Sequence, residues 1–574
     1  MTERRLDGVG VTPLSGVGTV VWYSPDAELD DPPDPDSVDT EAETERFEAA
    51  RTTAREELEA ERDRTAERVG QEEAAVFDAH VQFLDDPQIT DGVAERIEGG
   101  LPAEHAVSET FEGFIEQFEG MEGRMAERAD DLRDVRDRLV RVLSGGERVN
   151  LGDLPEGSVV LAERLTPSDT AQLDPSKVAG FVTETGGRTS HAAIFARSLA
   201  LPAVVGVGEE LRDVEGGTDV VVNGTDGVVV FDPDEETREA AAGDDDAEIR
   251  EDPVSTADGT EIEVAANVGT RKDLGPATER GADGIGLYRT EFLFLDRESP
   301  PDEEEQYEAY VEALDAFPEG RVVVRTLDVG GDKPIDYLDL PDEENPFLGE
   351  RGIRRSLGPD SDLFETQLRA LLRACGSENG GSSDSSDGGL AVMLPLVATV
   401  EEVAAAREKM AEVADDLDDE GVEYARPEFG VMVETPAAAF VADDLVERVD
   451  FFSIGTNDLA QYVMAAERGN ERVSELGDYR QPAVLRAIRA TVEAAEGTDA
   501  WVGMCGEMAG DPDLTELLLG LGLDELSMSA VTVPQVKAAV TNVSLSDARE
   551  LAAEALEAST KDEVERVLTN STLS

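Results

Sequence analysis

From Ile262 onward, short apolar runs alternate with helix-like segments eight times, and this alternation constrains the fold more than any other feature of the 574-residue chain. The runs are Ile262 to Asn267, Gly284 to Arg289, Val322 to Arg325, a weak one at Phe347 to Arg351, Val392 to Pro395, Gly430 to Glu434, Phe451 to Gly455 and Val502 to Cys505. Strands joined through helices run parallel, and eight such units close into a (β/α)8 (TIM) barrel. A parallel barrel keeps its reacting groups at the C-terminal strand ends. The residues that close each run therefore carry the functional information.

Those residues form a chemically coherent set: Arg289, Arg325 and Arg351, then Glu434, then Asn457 and Asp458 just past the next run, then Cys505, with Arg468 following a turn later. Converging guanidinium groups bind carboxylate or phosphate bidentately, so a small polyanion is the expected ligand. Glu434 and Asp458, with no histidine or cysteine nearby in sequence, suit a hard cation such as Mg²⁺ bridging protein to phosphate. Taken singly, each arginine reads as a structural ion pair and each carboxylate as a helix cap; six of them at successive strand ends make that account improbable. Cys505 is open to three roles, as nucleophile, proton donor or packing.

A nucleophile is available elsewhere. The chain holds three histidines, and His191 lies in GGRTSHAA, after a Gly-Gly pair, next to the capping residues Thr189 and Ser190, with Ile194, Phe195 and Leu199 continuing as a helical stripe. A helix start offers unpaired amides and a favourable dipole to an anion, which makes it a place for a phosphohistidine. With His191 as nucleophile, Cys505 is assigned as general acid. His80 shares a stripe with Val76 and Leu84 and reads as a packing residue.

The remaining organisation follows from periodicity. Residues 1–24 give an opening strand, and 25–145 give long helices striped by Phe47, Ala50, Ala54 and Leu58 and by Phe111, Ile115 and Phe118, an antiparallel bundle. Residues 146–231 return to short β-branched runs interleaved with helices and form an α/β domain around His191. Residues 232–254, rich in Asp, Glu and Ala, read as a linker to the barrel at 255–574. The Gly, Ser and Asp stretch from Gly376 to Gly389 falls between a helix and a strand, on the barrel face opposite the strand ends that matter.

Composition excludes some partners. With 130 acidic against 49 basic residues the formal net charge is -81, which opposes general binding to nucleic acid or to an anionic membrane. Lysine occurs at only six positions, so carboxylates cover the surface, as suits a high-salt cytoplasm. Self-repulsion at this charge destabilises a compact fold in dilute buffer, whereas molar salt cuts the Debye length to about 3 Å. The expected result is a thermal midpoint that climbs steeply with salt; an equal midpoint in dilute buffer would contradict it. Two distant cysteines, no signal-peptide pattern and no long apolar run point to a reducing, intracellular compartment without membrane insertion.

Across nearly the whole chain these residues resemble enzyme I of the sugar phosphotransferase system, the phosphoenolpyruvate-protein phosphotransferase family, in a form suited to an extreme halophile. The resemblance lies in LTPSDTAQL (165–173), GGRTSHAAIFARSLALPAVVG (186–206), GIGLYRTEFLF (284–294), VVRTLDVGGDK (323–333), EENPFLGERGIR (343–354), GVMVETPAA (430–438), DFFSIGTNDLAQY (450–462) and GMCGEMAGD (503–511). It implies that His191 is phosphorylated, that Arg289, Arg325, Asn457, Asp458 and Arg468 bind phosphoenolpyruvate with Arg351 assisting, and that Glu434 and Asp458 hold Mg²⁺. It also implies Cys505 as proton donor, a homodimer through the barrel, and a helical bundle that docks the phosphocarrier HPr. The acidic excess, the 376–389 insertion and the loop Leu476 to Pro482 depart from the family pattern. Two other readings are a relative of pyruvate phosphate dikinase or phosphoenolpyruvate synthase, for which a nucleotide-binding domain has no room here, and a slowly turning-over regulatory phosphoprotein.

Overall fold

The computed structural model describes residues 3–572 apart from 13, 24–28, 30–31, 69–70, 120–123, 146–150, 176, 188–189, 200, 225–226, 235–236, 239–240, 242–247, 296, 298, 331–334, 336, 342, 382–387 and 468–472. The chain divides into two compact units, Met1–Asp246 and Ala247–Ser574.

In the first unit, strands β1 (Arg4–Asp7), β2 (Val9–Gly10), β3 (Ser15–Tyr23), β4 (Ser158–Ala162), β5 (Val178–Thr183), β6 (Ala203–Val205), β7 (Asp219–Asn223) and β8 (Val228–Phe231) form one mixed sheet in the order β1-β8-β7-β3-β4-β5-β6-β2. The run β3, β4, β5, β6 is parallel. Between β3 and β4 the chain builds helices α1 (Thr40–Arg68), α2 (Gln71–Asp85), α3 (Pro87–Glu98), α4 (Ala103–Glu119) and α5 (Arg124–Ser144). Their apolar stripes meet: Phe47, Ala50, Ala54 and Leu58 pack with Phe111, Ile115, Leu132 and Leu139 in one buried cluster. Two short helices, α6 (Pro167–Thr170) and α7 (His191–Ser198), complete the sheet side.

A buried polar network ties bundle to sheet within this unit. Tyr23 donates its hydroxyl to Asp169 at 2.6 Å. Arg138 donates to Ser168 Oγ at 2.8 Å and to Glu61, while the Ser168 amide donates to Asp134 at 3.2 Å. His80 is fully buried, with Nε2 3.2 Å from Asp131 and Nδ1 3.6 Å from Asp134. It packs, as its stripe suggests, and carries a polar clasp as well.

Burial pushes the Asp169 carboxyl up to about 6, nearby Asp134 adding to the rise and the Tyr23 hydrogen bond opposing it. A carboxyl whose pKa is raised by folding binds more protons in the folded state, so its contribution is present below about pH 4 and is lost as pH rises through 6. The expected size is at most about 3 kcal/mol. Asp169→Asn keeps the cap of α6 and should flatten the fall in thermal midpoint between pH 4.5 and 7. Identical slopes for variant and wild type would exclude this cause.

The second unit is a closed barrel of eight parallel strands: β10 (Glu261–Val268), β11 (Ile285–Arg289), β12 (Arg321–Arg325), β13 (Gly389–Leu394), β14 (Glu428–Val433), β15 (Phe451–Gly455), β16 (Trp501–Cys505) and β17 (Glu525–Met528). A two-residue strand β9 (Val254–Ser255) pairs antiparallel with β10, and β17 and β11 flank β10 to close the ring.

One expected strand does not form. Phe347 to Arg351 is not a strand: Pro346–Leu348 is a single 3-10 turn on the connection that follows β12. The eighth strand is instead Glu525–Met528, so Glu434 follows the fifth strand, Asn457 and Asp458 the sixth, and Cys505 ends the seventh. The error has a physical cause. Glu525 and Ser527 lie buried within the strand, so it never reads as an apolar run, whereas Phe347 is apolar in order to stack on the Arg351 guanidinium at 5.5 Å.

The barrel interior is filled by Leu287, Val323, Ala391, Met393, Met432, Phe451 and Cys505. Its floor is polar. Arg321 donates to Glu263 at 2.7 Å, lies 3.4 Å from Glu428 and stacks 4.1 Å over Trp501, which in turn stacks on Phe451 at 4.4 Å. Opposite the floor, the C-terminal mouth is the end of the barrel at which such enzymes react. Fully buried Lys537 donates to Asp283 at 2.6 Å and to the carbonyls of Arg250 and Asp252 at 3.1 Å, fastening the start of the unit to the barrel.

Candidate functional site

At the barrel mouth the C-terminal strand ends bring together most of the residues the sequence singles out. Arg325 closes β12 and is 6% exposed. It donates from Nη2 to Glu291 at 2.6 Å and sits 3.1 Å from Asp328 through Nη1. Burial works against its charge, but Glu291, Asp328 and Glu434 outweigh burial and hold the guanidinium protonated. Arg351, 3% exposed, grips Asp328 with a fork of two 3.0 Å hydrogen bonds and reaches Asp458 at 3.2 Å. One buried carboxylate, Asp328, therefore aligns two guanidinium planes. Gly352, at φ +57, lets the chain turn beside it; a Cβ there would lie 3.3 Å from Asp328 Oδ1.

Glu434 follows β14 and is buried. The amide of Leu396 donates to its Oε1 at 2.5 Å, and Leu396 itself has φ +54, a left-handed conformation unusual for leucine. Backbone strain of this kind gathers at functional sites. Burial pushes the Glu434 carboxyl up to about 8, Asp458 and Asp328 adding to the rise against Arg325 and Arg351. The site is thus short of positive charge despite two arginines. Asp458 lies in the first turn of the helix Thr456–Met464, with half-buried Asn457 before it.

Cys505 ends β16, 3% exposed. Burial pushes its thiol up to about 12, so it stays protonated at neutral pH. That state suits a proton donor and disfavours a nucleophile. Arg289 ends β11 with its side chain exposed and its guanidinium 4.7 Å from the centre of the Phe292 ring. Arg468 lies outside the described residues.

Glu291 and Asp328 were not singled out from sequence. Each lies two or three residues past a strand-end arginine, in RTE and RTLD, and that spacing was the available signal. What distinguishes them is burial, at 2% and 0% exposure.

In the first unit, His191 opens α7 and Ser190 caps it, accepting from the Ala193 amide at 3.4 Å. Phe195 and Leu199 are buried as the stripe requires, whereas Ile194 is half-buried; Thr189 lies outside the described residues. Gly186, at φ +121, supplies the turn before the helix.

The family described as PEP-utilising enzyme, PEP-binding domain, matches residues 244–545; its N-terminal domain matches 7–128 and its mobile domain 154–227. A phosphoenolpyruvate-protein phosphotransferase of Haloferax volcanii is 76% identical over 569 residues, covering 99% of this chain and 100% of that one. Its namesake in Staphylococcus carnosus is 44% identical over 571 residues, covering 97% of each chain. The protein of that name in Geobacillus stearothermophilus is 46% identical over 539 residues, covering 92% of this chain and 91% of its own. The chain belongs to the PEP-utilising enzymes and, within them, to the phosphoenolpyruvate-protein phosphotransferase (enzyme I) family.

Proposed function

We propose that the chain transfers the phosphoryl group of phosphoenolpyruvate to His191, releases pyruvate, and passes the group to a histidine of an HPr-type carrier docked on the bundle α1 to α5, the first step of sugar uptake by a phosphotransferase system. The observation that carries this reading is the Arg325, Asp328, Arg351, Asp458 array at the barrel mouth. It holds two guanidinium groups in fixed positions, and such groups bind phosphate and carboxylate.

In this reading Arg289, Arg325, Asn457, Asp458 and Arg468 hold the substrate, and Arg351 steadies Asp458. A histidine nitrogen of His191 attacks phosphorus; the N–P bond forms as the bond from phosphorus to the enol oxygen breaks. The enolate carbon then takes the Cys505 thiol proton to give pyruvate, and solvent restores the thiol. Arginines charged throughout the cycle neutralise the phosphate and need no reorganisation.

Mg²⁺ fits Glu434 and Asp458. Among the described residues no cluster of three or more His, Cys, Asp and Glu side chains suited to a metal occurs, but Mg²⁺ uses one or two carboxylates plus substrate oxygens. The raised Glu434 carboxyl marks a pair of acids that a cation would relieve. When bound, Mg²⁺ neutralises phosphate charge and orients the substrate. The reading extends to a homodimer through the barrel, for which exposed Leu348 (66%) and Phe440 (84%), on segments after β12 and β14, offer apolar surface. It also extends to the cytoplasm, where the free thiols Cys375 and Cys505 stay reduced. Among the described residues no helix is long and apolar enough to cross a membrane.

The test is release of pyruvate from phosphoenolpyruvate in molar salt, with candidate carriers added. Turnover should require both the carrier and Mg²⁺, and chelation should reduce it to background. Turnover that ignores the carrier would overturn the reading.

A further inference from the structure

We propose that a polar cavity in the first unit is the seat of the phosphoryl group once His191 carries it. The inference rests on the reading of His191 as the phosphorylated residue and adds the side chains that hold the group. The cavity measures about 270 Å³ and is lined by Asp130 and Arg133 of α5, Arg164 ahead of α6, Thr183 at the end of β5, and Ser190 and Ala192, the two chain neighbours of His191.

Its charge is arranged around one carboxylate. Arg133 donates from Nη1 to Asp130 Oδ1 at 2.7 Å, and Arg164 Nη1 lies 3.1 Å from the same oxygen. The lining thus carries two guanidinium groups and one carboxylate. In a chain with 130 acidic and 49 basic residues, two arginines converging on a cavity stand against the prevailing charge. Arg164 has no other ion-pair partner among the described residues, and its side chain is 30% exposed. Most of its fork is therefore available for a ligand.

A phosphoryl dianion matches this lining. Guanidinium forks and an adjoining helix start are the groups that bind such an anion, and a cavity of this size exceeds the space of several waters. A structural tie between α5 and the sheet would need only the Arg164 and Asp130 pair. It requires neither a second arginine on the same oxygen nor an open cavity beside His191.

The roles differ in sign, which makes the proposal testable in the full-length chain. Phosphoenolpyruvate and pyruvate are mixed at set ratios and the phosphorylated fraction of the protein is measured. Arg164→Gln and Arg133→Gln should each raise the ratio needed for half-phosphorylation by about tenfold, the size of one lost hydrogen bond to a charged group. Arg164→Lys should recover part of the shift. Asp130→Asn, which removes the competing carboxylate, should lower the ratio. Arg212→Gln, at an exposed arginine paired with Glu184, should leave it unchanged. The KM for phosphoenolpyruvate, set at the barrel, should not move in any of these variants. If an arginine variant fails to fold, the opposed directions of Arg164→Lys and Asp130→Asn still decide. Unshifted ratios, or a shift of Asp130→Asn in the same direction as the arginine variants, would overturn the proposal. A wild-type chain that phosphoenolpyruvate does not phosphorylate would overturn the proposed function itself.

Discussion

Arg325→Lys should lower kcat/KM for phosphoenolpyruvate by roughly a hundred- to a thousandfold while leaving the protein folded, the range seen when one preorganised donor is lost. Arg325 is buried and spans Glu291 at 2.6 Å and Asp328 at 3.1 Å from two different nitrogens. A lysine keeps a positive charge between these carboxylates. As a single point donor it cannot span both and still face a phosphate. Arg325→Leu makes the contrast: it takes a buried cation away from Glu291 and from Asp328, the latter still held by Arg351, and the expected cost is about 3–5 kcal/mol of stability as well as activity. Pyruvate release and a thermal melt on both variants separate these outcomes. A lysine variant within threefold of wild type would show that Arg325 is structural.

Cys505→Ala should reduce kcat by roughly a hundred- to ten-thousandfold, the usual share of a general acid, with little change in KM. The thiol sits at the end of β16 among Leu287, Met393, Met432 and Phe451, and burial holds its pKa up to about 12. A group so weakly acidic keeps its proton at neutral pH and gives it only to a strong base, which an enolate carbon is. The barrel arginines and the acids Glu434 and Asp458 are untouched by the change, so substrate and Mg²⁺ binding should persist. Normal turnover would remove Cys505 from the mechanism; loss of substrate binding would mean that the change had disturbed the mouth.

Much of the fold was legible because its signals are local. Seven barrel strands are apolar runs, and the bundle stripes repeat at helical spacing. Glu525–Met528 was not legible, because a strand that turns Glu525 and Ser527 to buried positions has no apolar pattern to read. The polar floor around Arg321 was hidden for the same reason: Glu263, Glu428 and Glu525 are far apart in sequence and meet only when the barrel closes. At the mouth, Arg351 reaches the site from a connection rather than from a strand end, held there by Asp328. Asp328 and Glu291 look like loop acids in the sequence, and only their burial reveals that they align Arg325 and Arg351. The Leu396 conformation that turns an amide toward Glu434 leaves no sequence signal, since leucine does not favour it.

The central claim is that the barrel hands its phosphoryl group to one histidine on the other unit. The most direct measurement is to incubate the chain with Mg²⁺ and isotopically labelled phosphoenolpyruvate, then locate the label by peptide mapping at alkaline pH. The account predicts stoichiometric label on His191, none on His80 or His105, and none at all in His191→Ala. Label that persists in His191→Ala, or that maps to another residue, would contradict it.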